Sequence, residues 1–143
     1  MVPGFLALGS ATLFMPVDGL TMQRLARVAG VGVIAAGLIP ASQPRCPQPM
    51  VDPEATATDV GHGVASVAAF AAWTALPFVA SGVAGPAWYR NLNLVLRWVT
   101  AVGLVGAAGT TRFDAPSKGL TQRMFLGSVF TWYAATFWRL DRG

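Results

Sequence analysis

The chain has 143 residues, of which 54% are hydrophobic and only 11% charged, with a mean hydropathy of +0.53, where a soluble domain carries roughly 25% charged residues. This composition excludes a water-soluble globule. The net charge of +4 comes from basic residues scattered singly between apolar runs, which reads as membrane flanks rather than as a nucleic-acid footprint.

The length fits a single integral membrane domain over residues 1–143, with room for about five or six crossings at most, since each costs about 20 residues plus a connection. The first uncharged run covers residues 1–17 and predicts a span over 2–17, although Pro3 and Pro16 leave open a surface helix or the remainder of a longer segment. The runs at 28–44, 60–89, 98–111 and 124–138 predict spans over 25–39, 60–83, 92–111 and 120–140. The shorter runs are extended over flanking arginines, because a guanidinium near a helix end reaches the interface while its stem stays in hydrocarbon. Helices are expected rather than strands: the runs are continuous, not alternating, and lipid offers unpaired backbone groups no water. The predicted fold is therefore all-α, a polytopic transmembrane bundle of about five spans.

No Lys or Arg precedes Arg24, so a cleaved secretory leader is not expected. Cys46 is the only cysteine, which leaves no internal disulfide and no multi-cysteine metal site. With the amino terminus outside and the carboxyl terminus cytoplasmic, Arg24, Arg27, Arg90, Arg97, Arg139 and Arg142 lie inside, against Arg45, Arg112, Lys118 and Arg123 outside. The connection at 40–59, extended by Pro40, Pro44, Pro47, Pro49 and Pro53, is then external.

Small residues four apart predict close helix approach at Gly32 with Ala36, at Gly61 with Ala65 and Ala69, and at Gly103 with Ala107. Trp88, Tyr89, Trp98 and Trp138 lie near span ends and read as interfacial anchors, whereas Trp132 and Tyr133 fall deeper and read as packing. Thr58 or Asp59 is expected to cap the third span, where a side-chain oxygen meets free amides and a carboxylate meets the positive dipole end.

Asp59, His62 and Ser66 share one helical face by their spacing. A carboxylate beside an imidazole near a membrane boundary suits a proton relay or a polar-ligand site. The reading preferred here is a capping Asp beside a His that bonds a neighbouring loop. Arg97 lies about 8 Å inside its span and either snorkels or turns inward to pair with an acid such as Asp18. One His and one distant Cys are too few for a metal site, and no hydrolase elbow, phosphate loop or dinucleotide fingerprint occurs. No cofactor is expected.

An internal echo links Gly19-Leu20-Thr21-Met22-Gln23-Arg24, after Asp18, to Gly119-Leu120-Thr121-Gln122-Arg123, after Asp114. Each motif places Thr at a helix cap. Two such helices three spans apart enter from opposite faces, as in an inverted three-helix repeat with one helix missing.

The Gln23-Arg24 start of a Gly-rich span ending in Pro40, the Pro-rich connection, the Asp59 to His62 helix start and the Gly119 to Arg123 start of an aromatic last span together resemble the bacterial membrane family catalogued as domain of unknown function 998. The resemblance implies a six-helix integral membrane fold without an established activity. With about five spans this chain lacks the family's first helix, which fits a truncated or misassigned Met1. The matching polar positions are Arg24, Asp59, His62, Gln122 and Arg123. The leading expectation is a non-enzymatic accessory, structural or lipid-binding membrane subunit, partnered by lipids and other membrane proteins. A small carrier using Asp59, His62 and Arg97, and an intramembrane enzyme acting on lipid head groups with His62 as general base, are the alternatives.

Overall fold

The computed structural model describes residues 2–39, 56–112 and 118–142. The Pro-rich connection at 40–53, Cys46 and Asp114, singled out above, lie outside the described residues. Five helices and no strand occur among the described residues: α1 (Val2–Leu13), α2 (Leu20–Leu38), α3 (Ala57–Ala80), α4 (Ala87–Arg112) and α5 (Lys118–Asp141).

The helix ends depart from the sequence-based expectation for identifiable reasons. α1 stops at Leu13, four residues early, and residues 14–19 turn the chain around Pro16, which has no amide to continue a helix. α2 begins at Leu20 rather than 25, after Gly19 with φ 83°, a left-handed backbone that glycine adopts without strain. Thr21 is therefore not its cap. Arg24 does not delay α2, because it points to the exposed side of the helix. α3 is capped by Thr56, one turn ahead of the expected Thr58 or Asp59. It ends at Ala80, before 83, in a turn where the Ser81 amide donates to Pro77 O at 3.0 Å and the Gly82 amide to Val79 O at 3.0 Å. α4 starts at Ala87 instead of 92, immediately after Pro86, whose carbonyl accepts from the Tyr89 and Arg90 amides at 3.0 and 3.2 Å.

Successive helices pack antiparallel, and glycines set the close approaches. A Cβ on Gly30 would lie 2.7 Å from both Gly9 O and Leu13 N, joining α1 to α2. One on Gly32 would lie 2.8 Å from Ala65 O and 3.0 Å from the Ala69 Cβ, joining α2 to α3. One on Gly103 would lie 3.1 Å from the Phe125 Cα, joining α4 to α5. The four-residue pattern thus marks real crossings, but each partner sits on another helix. Gly61 is different: only Ile39 is near, at an ordinary 3.8 Å.

The bundle has two ends. The starts of α3 and α5 and the end of α2 form one, called the His62 end. The starts of α2 and α4 and the ends of α3 and α5 form the other, the Arg139 end. Between them Met22, Trp73, Leu76, Tyr89, Phe125, Trp132 and Tyr133 fill a continuous core. Thr12, Asn93, Thr100, Ser128 and Thr136 are also buried, whereas Phe14, Leu20, Val67, Val102 and Val105 stand exposed. Two of the described helices, Ala57–Ala80 and Ala87–Gly109, are long and apolar enough to cross a membrane.

Candidate functional site

The polar positions expected from sequence fall into separate places. At the His62 end, Asp59 accepts from the Thr56 amide at 3.1 Å and from the Thr56 hydroxyl at 2.6 Å, while the Asp59 amide reaches the Thr56 hydroxyl oxygen at 3.3 Å. This reciprocal box satisfies donors that the first turn of any helix leaves free. One turn on, His62 Nδ1 lies 2.7 Å from Ile39 O, so it carries the proton and donates to the residue that caps the end of α2. His62 therefore fastens the start of α3 to the end of α2. Ser66 follows a further turn along, half-buried.

Arg97 is elsewhere. Its guanidinium lies 5.9 Å from the Phe78 ring centroid and 5.5 Å from that of Trp98, and its Nε is buried without a hydrogen-bond partner. Phe78 stands 16 residues beyond His62 on α3, about 24 Å along the axis. The structure thus brings Asp59, His62 and Ser66 onto one stretch of α3 and leaves Arg97 near the opposite end of that helix. Arg97 also does not pair with Asp18. That acid is engaged by Arg139, whose guanidinium covers the Tyr89 ring at 4.9 Å. Arg24 is exposed near the Arg139 end, and Gln122 and Arg123 are exposed on the first turns of α5 at the His62 end.

Two polar chains run through the core instead, and sequence reasoning missed both. In the first, Trp73 Nε1 donates to Tyr133 OH at 2.8 Å. Thr12 donates its only hydroxyl proton to Leu8 O at 2.7 Å, so the Tyr133 hydroxyl, also bonded to Thr12 Oγ1, is the donor there. This chain ties α3, α5 and α1. In the second, Trp132 Nε1 donates to Asn93 Oδ1 at 2.9 Å and Asn93 Nδ2 to Tyr89 O at 2.8 Å. Thr136 donates to Trp132 O at 2.8 Å, which makes the Tyr89 hydroxyl the donor in its 3.0 Å bond to Thr136 Oγ1. Tyr89 is consequently a core residue rather than an interfacial anchor. The visible signal was Asn93, an amide two residues beyond Asn91 and inside the predicted span over 92–111.

Chemically, every hydroxyl and indole donor of the two chains meets an acceptor, as buried polar groups require. Such an arrangement holds helices together. Among the described residues no three His, Cys, Asp or Glu side chains gather closely enough to hold a metal ion.

Arg27 borders two surface concavities. One is a groove of about 390 Å³ between α2 and α3 lined by Val31, Gly32, Ala35, Ala65 and Ala68 besides Arg27. The other, of about 470 Å³, is bounded by Leu13, Phe14, Met15, Gln23 and Arg27 at the Arg139 end. No family model matches the chain, and no curated protein or solved structure is significantly similar to it.

Proposed function

We propose that this chain is a multi-pass membrane protein that serves as a non-enzymatic structural or lipid-binding subunit. The observation that carries the reading is the inverted distribution of polarity. Thr12 and Asn93 are 0% exposed, while Phe14 is 79% and Val105 72% exposed, an arrangement that water penalises and hydrocarbon rewards. α3 and α4 supply the two most apolar crossings. In this reading α2 and α5 cross beside them, and α1, with 12 residues, covers only about 18 Å of a hydrocarbon layer roughly 30 Å thick. The arginine-rich Arg139 end then faces the cytoplasm. Membership of the bacterial family of unknown function 998 belongs to the same proposal, on the resemblance alone. A structural role is favoured because the buried polar side chains bond one another across helices rather than lining a cavity.

The deciding experiment is fractionation of expressing cells. Recovery in the membrane pellet after alkaline carbonate washing, with release only by detergent, is the expected result. Recovery as a monodisperse species in detergent-free buffer refutes the membrane assignment.

A further inference from the structure

Arg27 divides a wholly apolar groove from a second cavity in which Gln23 adds a polar side chain to the apolar Leu13, Phe14 and Met15. Along α2, Val31 and Ala35 follow Arg27 by one and two turns, so the groove leads about 6 and then 12 Å away from the Arg139 end. In the other direction lies the second cavity, where the Gln23 side chain is held by a 3.3 Å bond from Nε2 to Val17 O. Arg24 stands exposed on the preceding turn of the same helix. Asp18, the acid closest in sequence, is committed to Arg139 and leaves the charge at this end of α2 positive.

The two concavities thus have the outline of an amphiphile, with a cationic divider at the depth where its polar and apolar parts would meet. We propose that they form one site for a phospholipid with a net-negative headgroup, its phosphate held by Arg27 in the cavity beside Gln23 and one acyl chain laid along the α2–α3 groove. The proposal rests on the membrane reading above. A zwitterionic lipid would bring its own cation towards Arg24 and Arg27 and lose part of the attraction.

The full chain in detergent micelles, mixed with equal phosphatidylglycerol and phosphatidylcholine of identical acyl chains, tests this by native mass spectrometry. The expected species is a monomer that retains the anionic lipid about five- to tenfold more than the zwitterionic one. Arg27→Gln brings that ratio to within about twofold of unity, whereas Arg142→Gln, at a residue stacked on Trp138, leaves it unchanged. Ala68→Phe fills the groove and lowers retention of both lipids. Thermal unfolding of the unmodified chain supplies a measurement independent of any variant: phosphatidylglycerol raises the midpoint more than phosphatidylcholine does. Equal retention, an unaltered ratio in Arg27→Gln, or a lipid-free dimer separated by Ala68→Phe overturns the site. A protein that needs detergent yet shows no lipid preference defeats this inference alone; one that is soluble without detergent defeats the membrane reading as well.

Discussion

At the scale of single residues, the Tyr133 hydroxyl does most to join distant parts of the chain. It accepts from Trp73 and donates to Thr12, so removing one oxygen leaves a buried indole donor unpaired. Tyr133→Phe should cost about 1–2 kcal/mol, because an orphaned buried donor loses more than the net worth of a hydrogen bond. Thr131→Val is the control: its hydroxyl bonds only to its own helix at Gly127 O, on an exposed face, and the change should stay within about 0.5 kcal/mol. Unfolding monitored by tryptophan fluorescence in detergent reads both. Adding Trp73→Phe to Tyr133→Phe should cost less than the sum of the two single changes, since the second removes the donor that the first orphaned. None of these partnerships was legible in the sequence. Trp73 and Tyr133 are 60 positions apart and Thr12 and Tyr133 are 121 apart, and hydroxyl pairing at such separations follows from the fold, not from local spacing.

At the scale of helices, the apolar runs disclosed all five elements, and most of the error lay at their boundaries. Treating charge as a stop signal shortened α2 and α4, because Arg24 and Arg90 sit on exposed sides where a charged head costs little. The α3 start was misplaced by one turn, because Thr56 and Thr58 both precede Asp59 and only the reciprocal bonding selects Thr56. Thr56→Ala should therefore destabilise by about 1 kcal/mol, while Thr58→Ala should leave stability nearly unchanged. Amide exchange in the first turn of α3, faster only in the former, separates the two. Helix contacts are sharper still. Gly32→Val places a side chain where even a Cβ meets Ala65 O at 2.8 Å, whereas Gly63 has nothing within 4 Å. The first change should part α2 from α3 and cost several kcal/mol, on the order of 2–4; Gly63→Ala should be neutral or gain up to about 1 kcal/mol from helix propensity. Thermal unfolding midpoints moving in the same direction for both would contradict the packing.

At the scale of the whole molecule, the candidate site was the least legible part. The spacing of Asp59, His62 and Ser66 on one helical stretch was readable, but their partners were not: Thr56 lies just outside the expected span and Ile39 caps the end of another helix. Arg97 looked like a companion to that group only until the helices were arranged, which put it beside Phe78 at the far end of α3. The proposed orientation has its own check. Cys46, the only cysteine, should react with a membrane-impermeant maleimide in intact cells, whereas in a Cys46→Ser background a cysteine replacing Ala84, exposed in the α3–α4 turn, should react only after lysis. The reverse pattern would invert the topology.

The bonds made by Thr12 and Asp18 both reach forward to the final helix, to Tyr133 and Arg139. During synthesis, therefore, the amino-terminal hairpin emerges from the ribosome well before either lock is available, and it waits until the last helix has been translated. A nascent product halted after α4 would carry Trp73 and Thr12 without their tyrosine, its first helix held by α2 alone.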